Sequence, residues 1–113
     1  MAHTMNAFFP VARLSEIPDP GKQVVECDEQ LVVLFHVDGE VYCLDDVCTH
    51  DGGPLGDGTL DGCAIICPRH GAQFDIRTGE AIKMPATQAT RKHEVRVDGD
   101  QILVKLAERR RGR

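Results

Sequence analysis

Residues 31–44 read Leu31-Val32-Val33-Leu34-Phe35-His36-Val37, then Asp38-Gly39, then Glu40-Val41-Tyr42-Cys43-Leu44. Two runs of branched and aromatic side chains flank an Asp-Gly pair. That pair readily adopts the left-handed backbone that a two-residue hairpin loop demands. The same pattern returns later as His93-Glu94-Val95-Arg96-Val97, Asp98-Gly99 and Gln101-Ile102-Leu103-Val104-Lys105-Leu106. Two hairpins of this kind point to an all-β fold.

Upstream of the first hairpin, Ile17-Pro18-Asp19-Pro20-Gly21 is a turn, and Lys22 to Glu26 reads as a short strand. Arg13 to Ile17 has room for one helical turn before Pro18, and few other windows support a helix. Downstream, the stretch from Asp45 to Gly62 is crowded with Gly, Asp, Pro and Thr, which is loop chemistry. An apolar strand, Cys63-Ala64-Ile65-Ile66, then runs into Cys67-Pro68-Arg69-His70-Gly71. After it come Gln73-Phe74-Asp75 and a turn at Arg77-Thr78-Gly79. The chain has no Trp and five aromatic residues in 113, so its core must be built from Val, Leu and Ile, side chains that pack well on a pleated sheet. The length fits one domain.

The formal net charge is −5, and four of the arginines (Arg109, Arg110, Arg111, Arg113) stand in the last five residues. Without those four charges residues 1–108 carry −9, so the body is acidic and the tail reads as a solvated, disordered end. An acidic body argues against nucleic-acid binding, which needs a basic footprint, and suits docking on a basic protein surface. The N-terminal stretch carries no signal-type apolar run, and no segment approaches a membrane span. A cytoplasmic protein is expected, and five cysteines there point to a metal site before disulfides.

Two short motifs concentrate the chemistry: Cys48-Thr49-His50 and Cys67-Pro68-Arg69-His70. In an extended loop, residues two apart share a side, so Cys48 and His50 can reach one site. Pro68 and Gly71 favour a turn that returns His70 toward Cys67. Two loops, each offering one thiolate and one imidazole, can enclose a small metal centre.

The spacing C-x-H, sixteen residues, C-x-x-H resembles the Rieske family. His70-Gly71, Phe74-Asp75 and Thr78-Gly79 follow the second motif as they do in that family, and Pro85 corresponds to its cluster-shielding Pro loop. The resemblance implies an antiparallel β-sandwich over residues 1–108, with a small cluster-binding subdomain of two loops at about 45–84. It implies one 2Fe–2S cluster, with Cys48 and Cys67 on the inner iron and His50 and His70 on the outer one. Two ferric ions, two sulfides and two thiolates sum to zero charge when both imidazoles are neutral, which eases reduction relative to four-thiolate clusters.

Departures from the family narrow the expectation. Gly53 and Arg69 stand where the respiratory members carry a disulfide across the cluster. Ala72 stands where those members carry a serine that donates to a bridging sulfide. Fewer donors to sulfur stabilise the reduced state less, so the potential is expected near the low end of roughly −150 to +300 mV. Such features match the stand-alone ferredoxins of bacterial aromatic-ring-hydroxylating oxygenases. The expected function is a monomeric one-electron carrier, not an enzyme, between an NAD(P)H-dependent flavoprotein reductase and a terminal non-haem iron oxygenase. It is expected to bind neither nucleic acid nor membrane. Rival readings are a small subunit of a nitrite-reductase-type enzyme, a redox-sensing accessory module, and a structural zinc site. Cys27, Cys43 and Cys63 read as small strand hydrophobes, and His3, His36 and His93 as surface or strand histidines. Asp45, Asp46, Asp51, Asp57 and Asp61 read as solvated turn formers, with an acidic docking rim as the second reading.

Overall fold

The computed structural model describes residues 7–49, 53–68, 71–84 and 88–107. These form strands β1 (Phe9–Arg13), β2 (Gly21–Cys27), β3 (Gln30–Val37), β4 (Glu40–Asp45), β5 (Thr59–Asp61), β6 (Ala64–Ile66), β7 (Gln73–Asp75), β8 (Ala81–Lys83), β9 (Lys92–Asp98) and β10 (Gln101–Lys105). Two 3-10 turns, Leu14–Glu16 and Leu55–Asp57, complete the regular structure among these residues. All pairings are antiparallel. A six-stranded sheet has the order β1-β10-β9-β4-β3-β2, and a four-stranded sheet the order β5-β6-β7-β8. The fold is therefore all-β, as the hairpin signals predict.

The β3–β4 hairpin closes on Asp38 (φ 53°) and Gly39 (φ 82°), with Val37 opposite Glu40. Both loop residues are left-handed, the type I′ arrangement whose twist matches the flanking strands. In the β9–β10 hairpin the loop is Gly99-Asp100, one residue later than the Asp-Gly reading, because Asp98 pairs with Gln101. Gly99 supplies the positive φ (63°) at the first loop position. A third hairpin, β2–β3, turns through Asp28 (φ 51°) and Glu29 (φ 69°), and β2 reaches Cys27 where the sequence suggested Glu26. Short strand β5 and the turn at Leu55–Asp57 depart from the loop expected over Asp45 to Gly62, and β8 carried no signal in the sequence. They gain partners only when the second sheet assembles.

Period-two alternation along β3 divides the interior into two cores. Val32 and Leu34 join Ile17, Cys27, Cys43, Ile102, Val104 and Leu106 in one buried cluster, fringed by Phe9, Val25, Val41 and Val95. All six strands of the large sheet contribute to it, and its end strands β1 and β2 touch, so that sheet curls around this core. Val33, Phe35 and Val37 point the opposite way, toward Leu44, Leu55, Ile65, Phe74 and Ile76. This second core joins the two sheets. With both faces covered, β3 holds four consecutive fully buried residues, Val32 to Phe35. Burying each such side chain contributes about 1.5–3 kcal/mol.

Cys27 and Cys43 lie in the curled-sheet core, and burial is the main cause pushing both thiols above the ordinary range. They are kept protonated and behave as the small hydrophobes expected. Cys63 is half-buried at the edge of the inter-sheet core. His3, His50, Asp51, Arg69, His70, Pro85 and the arginine tail at 109–113 lie outside the described residues. Among the described residues no helix is long and apolar enough to cross a membrane.

Candidate metal centre

Strand β4 ends at Asp45, and the chain leaves the large sheet carrying Cys48 into the inter-sheet core. Cys48 is fully buried, and its N–H donates to the Gly53 carbonyl at 2.8 Å. Cys67 follows β6, is 2% exposed, and its N–H donates to the Ala72 carbonyl at 2.7 Å. Each cysteine thus opens a loop closed by the carbonyl five residues on. The second loop is tightened by Gly71, whose φ of 76° suits glycine and whose N–H donates to the Cys67 carbonyl at 3.2 Å.

Both cysteines belong to the same buried cluster, with Leu55, Ile65, Ala72 and Phe74. The structure thereby brings together two of the four residues singled out in the sequence. The other two, His50 and His70, are outside the described residues. Among those described, no three His, Cys, Asp or Glu side chains gather as a metal site. Ala72, at the position of the missing serine, is fully buried beside Cys67 and carries no hydroxyl.

The first loop is held from both sides. Asp46 accepts the Gly56 N–H at 2.6 Å, and Lys22 Nζ donates to the Gly56 carbonyl at 2.8 Å. Gly56 itself lies close against Val24, so a side chain there would force Val24 to shift. On the other side, Thr90 Oγ1 donates to the Val47 carbonyl (3.2 Å) and Thr49 Oγ1 to the Gln88 carbonyl (2.6 Å). Residues 88–90 therefore hold the residues on either side of Cys48, Val47 by its backbone carbonyl and Thr49 by its side-chain hydroxyl. The same segment meets the β7–β8 turn, where the Thr90 N–H donates to the Gly79 carbonyl at 2.8 Å. Gly79 has φ 83°, and a Cβ there would collide with the Thr90 carbonyl.

Two readings of the sequence need correction here. Asp46 is buried at 9% exposure and serves the Leu55–Asp57 turn; it is not a solvated turn former. Asp45 is half-buried and paired with Arg91 and His93. Burial works against its ionisation, but hydrogen bonds from His93 and Arg91 and the Arg91 charge outweigh it and hold its carboxyl below the usual range. His93 is on a strand as expected but fully inside, at 1% exposure. Asp57 and Asp61 are exposed, as expected. The roles of Lys22, Thr49, Thr90 and Arg91 carried no local signal, because their partners lie 34 to 46 residues away.

Residues 7–105 match the model of the Rieske [2Fe-2S] domain. The chain belongs to the Rieske family. It is 35% identical over 94 residues to the ferredoxin component of the naphthalene 1,2-dioxygenase system of Pseudomonas aeruginosa, spanning 83% of this chain and 90% of that one. Its fold matches the ferredoxin of carbazole 1,9a-dioxygenase from Nocardioides aromaticivorans IC177 with a TM-score of 0.86 at 28% identity, covering 90% of this chain and all of that one. It also matches a chain of the complex of reduced oxygenase and oxidized ferredoxin in carbazole 1,9a-dioxygenase, with a TM-score of 0.82 at 29% identity over 87% and 92% of the two chains. A Rieske domain is an iron–sulfur domain, and the donors fit one. Soft thiolates select such centres, and Cys48 and Cys67 are delivered by two similarly closed loops to one buried, apolar floor.

Proposed function

We propose that this Rieske protein is the ferredoxin component of a multicomponent oxygenase system, passing single electrons from an NAD(P)H-dependent flavoprotein reductase to a terminal non-haem iron oxygenase. The observation that carries the reading is the paired placement of Cys48 and Cys67 in one buried cluster, within a chain that matches dioxygenase ferredoxins over most of their length. Cys48 and Cys67 supply thiolates to the inner iron of one 2Fe–2S cluster, and His50 and His70 supply imidazoles to the outer iron. The cluster, when bound, supplies a one-electron redox centre. Leu55, Ile65, Ala72 and Phe74 keep water from the thiolate side and lower the local dielectric there. On this reading residues 45–84 are the cluster-binding part of a single domain over 1–108. A reducing cytoplasm is the fitting compartment, because ligand cysteines must escape disulfide formation.

The test is spectroscopic and functional. The protein as isolated should be brown, contain iron and acid-labile sulfide in equal amounts, and give a rhombic EPR signal on reduction. His50→Ala and His70→Ala should abolish that signal, while Cys43→Ser preserves it. Purified with a reductase and a terminal oxygenase, the protein should couple NAD(P)H oxidation to substrate hydroxylation. A colourless protein holding stoichiometric zinc would refute the reading.

A further inference from the structure

Where β4 gives way to the first cysteine loop, a polar network joins the ends of β3, β4, β9 and β10 in the six-stranded sheet. Asp45 Oδ1 accepts the His93 Nε2 hydrogen at 2.6 Å. Arg91 holds the same carboxylate with two nitrogens, Nε to Oδ2 at 3.2 Å and Nη2 to Oδ1 at 3.3 Å. The Asp45 N–H donates to the Arg91 carbonyl at 2.9 Å, so backbone and side chain of one residue grip the other. Arg91 Nη2 also donates to Gln30 Oε1 at 2.6 Å, and Nη1 to the Ala107 carbonyl at 3.4 Å.

The imidazole's state follows from its other nitrogen. The Ala107 N–H donates to His93 Nδ1 at 2.9 Å, which makes Nδ1 an acceptor and leaves the ring proton on Nε2. His93 is therefore neutral and Arg91 alone balances Asp45. A half-buried carboxylate and guanidinium thus sum to zero, three residues from Cys48 along the chain, a span of at most about 11 Å.

We propose that Asp45 and Arg91, with His93 behind them, are positioning residues that hold the first cysteine loop and keep the charge beside the centre it serves balanced. The inference rests on the ligand assignment of the preceding section. Asp45 fixes the point where the backbone departs from β4. Arg91 heads the segment whose residues 88 and 90 bond either side of Cys48. Because the pair is neutral, it positions the loop without biasing the added electron. Removing either charge breaks that balance, and the surviving charge acts on the centre through a partly buried medium.

The experiment is a redox titration monitored by EPR on four cluster-loaded proteins: native, Asp45→Asn, Arg91→Gln and Arg91→Lys. Asp45→Asn leaves a net positive charge and should favour the reduced form about tenfold, a rise of about 59 mV for a one-electron couple. Arg91→Gln leaves a net negative charge and should shift the equilibrium by a similar factor the opposite way. Arg91→Lys keeps the charge and should stay near the native potential, with native g-values. A purely structural role predicts shifts of one sign, or cluster loss, in all three variants. Shifts of one sign, or no shift in Asp45→Asn and Arg91→Gln, would overturn the inference while native protein keeps its Rieske signal. Absence of that signal from the native protein overturns the ligand assignment and this inference together.

Discussion

Ala72→Ser is the most informative single substitution near the candidate centre. Ala72 is fully buried, its carbonyl accepts the Cys67 N–H at 2.7 Å, and it shares a cluster with both cysteines. A serine there adds one hydroxyl inside the buried cluster, and two outcomes are distinguishable. With a cluster sulfide in reach, the hydroxyl donates to a sulfur that gains charge on reduction. A hydrogen bond to a charged group is worth about 1.5–3 kcal/mol, and roughly half of that distinguishes reduced from oxidised sulfur, about 1 kcal/mol. At about 59 mV per tenfold for one electron, the potential should rise by about 30–60 mV. With no acceptor in reach, the buried hydroxyl is unsatisfied and costs about 1–3 kcal/mol of stability, enough to lower Tm by several degrees in a chain of this size. Voltammetry and a thermal melt on the same sample separate the cases. An unchanged potential together with a lowered Tm would refute the placement of Ala72 against the cluster.

Phe74 is fully buried in the core joining the two sheets, so Phe74→Ala should cost about 3–5 kcal/mol in urea unfolding and destabilise the cysteine loops that rest on it. Glu29 adopts φ 69° in the β2–β3 loop, where glycine is at ease, so Glu29→Gly should raise the unfolding midpoint by the equivalent of about 1 kcal/mol. The Asp45 carboxyl is held below its ordinary value in the folded chain. Its contribution is therefore present above the unfolded carboxyl range near about pH 4 and lost as pH falls through the lower folded value. Asp45→Asn should flatten the acid limb of a stability–pH curve while leaving its shape near neutrality unchanged.

The fold was legible where structure is local. Asp38-Gly39 announces a hairpin because two adjacent residues carry all the needed conformational freedom, and the branched runs beside it can do little but form strands. Asp28-Glu29 turns in the same way, yet Glu rarely accepts a left-handed backbone, so no residue flagged that hairpin. Strands β5 and β8 have three residues each and owe their existence to partners across the small sheet. At the candidate centre, Cys48 and Cys67 were readable because spacing within each motif is local. Asp45 and Asp46 were not, since a carboxylate amid glycines looks the same whether it meets water or a guanidinium 46 residues away.

That asymmetry has a structural cause. Strand β3 covers the curled-sheet core with one face and the inter-sheet core with the other. The cysteine loops rest only on the second. Leaving β4, the chain passes from one sheet to the other, and its polar groups there need partners. The partners available are those that come back afterwards: Arg91 for Asp45, Thr90 for Val47 and Gln88 for Thr49. Each pairing spans about forty residues and encloses the whole small sheet. The final shape of the first loop therefore rests on contacts with residues 88–91, which lie beyond β5 to β8 in the chain. Motif spacing points to the candidate ligands, whereas these long-range contacts fix where the first cysteine loop stands. Substitutions at Arg91 or Asp45 should accordingly alter the centre, and substitution of Asp45 also removes the partner of the buried His93 on β9.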